Sequence, residues 1–218
     1  MNAKTDAARR QMIEQQVRTW DVLDSRVLEA IGSVRRELFV PEAYRGVAFA
    51  DAPIPIGHGQ HMLPPALEGR ILQALAPLRG ERALEIGTGS GFFAACLAEL
   101  TGSVDSIEIH ADLAARAARS IAEAGISRVN LATGDAFARD DEAAYEVIAV
   151  TGSVAAPERR FERALAVGGR MFVVVGEGPA MEARLVTRTG QEAWLSEPLF
   201  ETWIEPLIQP ASPSRFRF

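Results

Sequence analysis

A short apolar run, Ala83 to Ile86, leads directly into Gly87-Thr88-Gly89-Ser90-Gly91, and the chain resumes from Phe92 to Leu100 in a stretch that can run as a helix. This segment constrains the fold more than any other. Three glycines at alternate positions break the apolar run and let the backbone turn sharply and approach a nucleotide-like ligand closely. The next apolar run, Val104 to Glu108, ends on an acid 21 positions after Gly87. In a doubly wound sheet an acid there meets the hydroxyls of a ribose. Glycines alone are a weak signal; glycines followed by an acid at the end of the next strand are a stronger one.

The rest of the chain supports an alternating pattern. Predicted strands cover 82–86, 104–108, 129–133 and 145–150, with helices over 91–101, 111–124 and 157–166 between and after them. Gly125 ends the second helix, Pro157 opens the third, and Gly168-Gly169 is read as a turn into the apolar run Met171 to Val175. Strands alternating with helices predict a mostly parallel, Rossmann-like sheet with helices on both faces. Ala183 to Thr189 and Glu192 to Leu199 read as a terminal antiparallel pair.

Upstream, Met12, Ile13 and Val17 predict a helix over 7–20, and Asp24 caps a second one carrying Val27, Leu28 and Ile31. Residues 51–65 hold four prolines and two glycines, which exclude a helix or a central strand and predict an irregular loop. A long loop of this kind inside a compact domain is usually functional. Pro64-Pro65 can open a third helix whose apolar face is Ile71, Leu72 and Leu75. The expected organisation is one domain over 1–218: an N-terminal helical and loop extension to residue 80, then an α/β core over 81–218.

Composition narrows the function. The 218 residues carry a net charge of −6, which argues against a nucleic-acid partner gripped through phosphates. No apolar run approaches the ~20 residues of a membrane span, and the N-terminus lacks the apolar core of a signal peptide, so a cytoplasmic protein is expected. Cys96 is the only cysteine and reads as an inert buried thiol. With no cysteine–histidine cluster, no metal is expected. The basic, aromatic tail Arg215 to Phe218 reads as a frayed or docked terminus, and oligomeric state is not legible.

The dinucleotide fingerprint requires its third glycine at position 92, where Phe92 stands. The pattern Glu85-x-Gly87-x-Gly89-x-Gly91 instead resembles motif I of the class I S-adenosylmethionine-dependent methyltransferases. That resemblance implies cofactor contacts from Glu85, Gly87, Thr88, Gly89 and Gly91, from Glu108 and Ile109 at the ribose, and from Gly134, Asp135 and Ala136 near the adenine. A ligand-free glycine loop, or an NAD or FAD site, is the competing reading.

Further segments narrow the likeness. Arg36-Glu37-Leu38-Phe39-Val40-Pro41, Asp51 to Gln60 (DAPIPIGHGQ), Ile148 to Gly152, Gly168-Gly169-Arg170 and Ile204-Glu205-Pro206-Leu207 resemble signatures of the protein-L-isoaspartate O-methyltransferases. The resemblance spans nearly the whole chain. It implies methyl transfer from S-adenosylmethionine to isoaspartyl carboxylates in damaged proteins. It also implies substrate contacts from Ile56, His58, Gln60, His61, Thr151 and Gly152; Ser153 is an unassigned hydroxyl near the end of the same strand.

The match breaks in one tripeptide. Where the family reads Thr-Ile-Ser, with hydroxyls that meet the substrate carboxylate, this chain reads His61-Met62-Leu63. His61 is then the catalytic-loop side chain able to meet a carboxylate, while Leu63, at the serine position, cannot donate a hydrogen bond. Smaller departures are Ala136 for a glycine and Glu146 for an aspartate. Two alternatives stand beside isoaspartyl methylation: a methyltransferase of the same lineage with another acceptor, and a cofactor-binding module without catalysis.

Overall fold

The structure is a computed structural model describing residues 3–208; the tail Arg215 to Phe218 lies outside the described residues. Six α-helices are described: α1 (Ala3–Met12), α2 (Ser25–Ser33), α3 (Pro65–Leu75), α4 (Phe92–Leu100), α5 (Ala111–Glu123) and α6 (Arg159–Ala164). Nine strands accompany them: β1 (Ile54–Gly57), β2 (Gln60–Met62), β3 (Arg82–Ile86), β4 (Ser103–Glu108), β5 (Val129–Thr133), β6 (Tyr145–Val154), β7 (Leu165–Val175), β8 (Met181–Gly190) and β9 (Ala193–Thr202).

Seven strands form one sheet in the order β5-β4-β3-β6-β7-β8-β9. The first five are parallel, and β8 and β9 add on antiparallel. The chain starts at β3, moves outward through β4 to β5, then returns to β6 on the other side of β3. Right-handed crossovers in the two directions put their connections on opposite faces. Helices α4 and α5 therefore join the N-terminal helices on one face, and α6 packs on the other. Alternate side chains feed both: Val147, Ala149, Phe172 and Val174 join the first core, while Ile148, Val150, Met171 and Val173 join the second. Strands buried on both faces need continuous apolar runs, which is how β6 and β7 read.

Five expectations are corrected in detail. The helix expected over 7–20 is α-helical only to Met12, then widens into a π-helical turn over Ile13–Val17 and tightens to 3-10 at Arg18–Trp20. Met12 and Val17 are five residues apart, a spacing that an α-helix carries to different faces; the wider turn buries both. A side chain at Gly69 would come within 2.8 Å of Val17, so that glycine admits the turn.

The stretch 51–65 is not irregular throughout. Strands β1 and β2 pair as an antiparallel hairpin separate from the main sheet, with Ile54 opposite Met62 and Pro55 opposite His61. Its turn uses positive φ at His58 (55°) and Gly59 (71°), as a tight hairpin demands. The prolines are tolerated because a two-stranded ribbon consists of edges.

Strand β6 runs on to Val154, but its pairing with β7 jumps between Ala149 and Ser153, so Thr151 and Gly152 lie in an irregularity at the strand's C-terminal end. Gly168-Gly169 lies inside β7 rather than in a turn before it, in a second break where the pairing passes from Leu165 to Arg170. The third predicted helix shrinks to Arg159–Ala164, capped by the Glu158 side chain accepting from Arg160 N at 3.1 Å. Among the described residues no helix is long and apolar enough to cross a membrane.

Candidate active site

Strand order reverses at β3, between β4 and β6, and a cleft of about 810 Å³ opens at the C-terminal ends of these strands. This is the switch point where doubly wound sheets bind ligands. The glycine turn forms its floor. Gly87 has φ +96°, and a Cβ there would stand 2.9 Å from Thr151 Oγ1; Gly91 has φ +85°, with Ala117 Cβ at 2.9 Å from any added Cβ. Both positions exclude a side chain by conformation and by space.

Glu108, at the end of β4, is buried and held by two backbone amides. Its Oε2 accepts from Gly89 N at 2.8 Å and its Oε1 from His110 N at 3.0 Å. Each oxygen keeps a further lone pair, the geometry a vicinal diol requires. Ile109 lines the same wall, and Gly134, Asp135 and Ala136 line the far end. Asp135 caps the short turn Ala136–Ala138, its Oδ1 accepting from Phe137 N at 2.8 Å.

Glu85 sits beneath the turn, fully buried. Ser106 Oγ donates to its Oε2, and Thr88 Oγ1 lies 2.6 Å from Ser106 Oγ, so the acid is tied to the loop above it. Its other oxygen has no hydrogen-bond partner. Burial pushes this carboxyl up to about 8, opposed by the Ser106 hydrogen bond.

The opposite wall is assembled from distant segments. Gln60, His61, Met62 and Leu63 of the hairpin line the cleft with Ile56. Arg36, from a short 3-10 turn and wholly buried, organises this wall. Its Nε donates to Ala48 O at 2.9 Å, its Nη2 to Leu63 O at 2.7 Å, and its Nη1 to the buried Glu68 of α3. Burial pushes the Glu68 carboxyl up to about 7 against the pull of Arg36. Two contacts hold the hairpin on α5: Arg116 Nη2 donates to Ile56 O at 2.5 Å, and His58 Nε2 lies 2.8 Å from Asp112 Oδ1.

Most of the expected site residues therefore meet in one cleft, and three do other work. His58 points away from it, onto Asp112 and the His110 ring, with which it stacks at 3.9 Å. Thr151 lines the cleft, but its hydroxyl donates to Gly87 O at 2.6 Å and so braces the glycine turn. Ser153 is buried, and its hydroxyl donates to Ile204 O at 3.2 Å instead of facing an acceptor. The segment Ile204–Ile208 runs parallel to the end of β6 there, Pro206 opposite Ser153, fixed by Ser153 N to Glu205 O and Leu207 N to Ser153 O, both 2.9 Å. Gly152 leaves room for it: an added Cβ would stand 2.7 Å from Leu207.

Arg36, Glu68, Ser106, Glu205 and Leu207 are absent from the sequence-derived site. One signal was present. Glu68 falls on the apolar stripe of Ile71, Leu72 and Leu75, where an unpaired carboxylate would be untenable. Among the described residues no group of three or more histidine, cysteine, aspartate or glutamate side chains could hold a metal ion.

Comparison with known proteins bears on the whole arrangement. The chain is 40% identical over 190 residues to protein-L-isoaspartate O-methyltransferase 2 of an Anaeromyxobacter species, covering 85% of this chain and 77% of the relative. It is 38% identical over 206 residues to the Methylorubrum populi protein-L-isoaspartate O-methyltransferase, covering 94% and 97%. The fold matches the crystal structure assigned to a Plasmodium falciparum protein-L-isoaspartate O-methyltransferase in complex with S-adenosyl-L-homocysteine. That match has a TM-score of 0.78, 19% identity, and coverage of 92% of this chain and 98% of the other. The sheet with its flanking helices is thus the Rossmann-like methyltransferase fold. The profile of protein-L-isoaspartate(D-aspartate) O-methyltransferases matches residues 7–208, and with relatives at this identity over most of both chains, this chain belongs to that family.

Proposed function

We propose that this chain is an S-adenosylmethionine-dependent O-methyltransferase that esterifies isoaspartyl carboxylates in damaged proteins, a repair activity of the cytoplasm. The observation that carries the reading is the two-sided cleft. One wall is a glycine turn with an amide-held acid, which fits an uncharged nucleoside with a ribose diol. The other is a hairpin that fits a peptide.

The turn Gly87 to Gly91, Glu108, Ile109 and Asp135 would hold the cofactor, whose sulfonium supplies an electrophilic methyl when bound. The backbone of the turn from Gly87 to Ser90 lines the cleft directly, as close approach to a nucleoside requires. A carboxylate is already nucleophilic at neutral pH, so the protein's task is to orient one oxygen and exclude water. Such positioning is worth roughly 7–11 kcal/mol in well-oriented cases. The N-terminal extension to residue 80 supplies most of the acceptor wall, completed by Glu205, and the strand ends after residue 81 supply the cofactor wall, acting as one unit.

A second reading, an enzyme of the same lineage with a less polar acceptor, is favoured by Leu63, an apolar side chain where the family places a serine hydroxyl, next to the apolar Met62. Transfer of labelled methyl to an isoaspartyl peptide, with the aspartyl peptide as control, decides between them. The expected product is a base-labile ester on the isoaspartyl peptide alone. Cofactor binding with no ester formed would overturn the isoaspartyl reading.

A further inference from the structure

A second cleft, about 800 Å³, lies behind the hairpin between α3 and the end of β9, lined in part by Trp20, Arg70, Phe200 and Trp203. It meets the first cleft at three residues that line both: His61, Met62 and Leu63. Of these only His61 has a polar side chain, and the Leu63 carbonyl is already taken by Arg36. His61 is therefore the polar side chain on the wall shared by the two clefts.

The His61 ring does not stand alone. Its Nδ1 lies against the Glu205 carboxylate without hydrogen-bond geometry, a contact that joins the hairpin to the C-terminal segment. The Glu205 side chain is only 15% exposed, and its backbone is stapled to β6 through Ser153. The ring's Nε2 has no hydrogen-bond partner among the described residues. A carboxylate oriented on one ring nitrogen leaves the other presented in a defined direction.

We infer that His61 and Glu205 form a couple that anchors the acceptor carboxylate, with Glu205 as its positioning residue and Nε2 as the contact. The inference rests on the function proposed above and names its specificity element. With Nδ1 set against Glu205, Nε2 is the ring nitrogen left to meet a carboxylate, which it does by donating a hydrogen bond. The other ionisable groups around the junction are Glu85, Glu108, His110 and Asp135 in the first cleft, and Asp51 and Glu201 in the second. Glu68 is committed to Arg36, and Arg70 stacks on the Phe200 ring at 3.5 Å. In this surround His61 is the side chain that stands between Glu205 and an incoming carboxylate, at the loop where Leu63 offers no hydroxyl. Glu205 is invisible as a site residue in sequence, 144 positions from His61.

The test uses the full chain with S-adenosylhomocysteine and one isoaspartyl peptide. Nitrogen-15 resonances of the His61 ring report Nε2 directly and need no turnover. The expected result is an Nε2 shift on adding the isoaspartyl peptide but not the aspartyl control, abolished in Glu205→Ala and retained in part in Glu205→Gln. In turnover, His61→Ala and Glu205→Ala should each raise the peptide KM by ~10-fold or more with kcat changed less. The double variant should be no worse than His61→Ala, because the two act as one unit. The affinity for S-adenosylhomocysteine, measured alongside, separates these effects from loss of the cofactor.

Turnover by the parent with additive single-variant effects, or with an unmoved Nε2 resonance, would overturn the couple and leave the proposed activity standing. An Nε2 shift without any turnover would support the anchor while removing the activity. Neither shift nor turnover would overturn both.

Discussion

The two walls of the cleft are built by opposite means. The cofactor wall is almost entirely local: β3, its glycine turn and α4 are contiguous, and Glu108 and Asp135 sit at the ends of the next two strands. Its donors are backbone amides, so few side chains have to be supplied from far away. The acceptor wall joins residues 36, 61–63, 68 and 205, drawn from four segments and held by a buried guanidinium and a staple on β6. A wall made of contiguous backbone tolerates change elsewhere in the chain; a wall made of long-range pairs fails when one member is lost.

The largest effect expected from this contrast comes from Arg36→Met. Removing one partner of a buried ion pair leaves the other uncompensated and typically costs ~3–5 kcal/mol. Glu68, already pushed up to about 7, would then take a proton within its apolar surroundings. Urea unfolding should show the loss, and the additional change Glu68→Leu should recover much of it. If the folded Arg36→Met protein keeps its peptide KM, the acceptor wall does not depend on this long-range pair.

Glu108→Ala tests the local wall. A carboxylate that holds a diol through charge-assisted hydrogen bonds contributes ~1.5–3 kcal/mol, so calorimetry should find S-adenosylmethionine binding weaker by roughly 10- to 100-fold. The protein should unfold near its parent temperature. Unchanged affinity would show that the amides of the turn suffice and that Glu108 only braces them.

The smallest effect is a pH dependence at Glu85, which serves both the strand and the turn. Burial holds its carboxyl at about 8, against an ordinary 4.5, so the folded protein keeps a proton that the unfolded chain releases. Stability from this group is complete below pH 4.5 and is lost as the pH climbs through about 8. Glu85→Gln should flatten that decline by on the order of 2 kcal/mol between pH 5 and 8.5, read from urea midpoints at each pH. An equally steep decline in the variant would assign the proton to another group, with Glu68 next in line.

Periodicity and glycine placement were enough to locate the strands of the parallel sheet, the glycine turn and the acid at Glu108, because each depends on neighbours within a few residues. The hairpin over 54–62 escaped the same reading. Its prolines argue against a central strand, and only pairing of two short edges makes strands there. The π-helical turn at Ile13–Val17 was hidden for a related reason: it exists to seat side chains against Gly32 and Gly69, which lie in other helices.

What this chain's sequence determined by itself is where its backbone must turn, which strands are buried on both faces, and which acid ends the second core strand, since these follow from local sterics and burial. Tertiary structure alone decided that Ser153 holds the C-terminal segment, that His58 packs on α5, that Arg36 neutralises Glu68, and that His61 meets Glu205. Each of those is a meeting of groups whose separation along the chain carries no information about their separation in space. A buried charge or a ring nitrogen acquires its role only from the partner that folding brings to it.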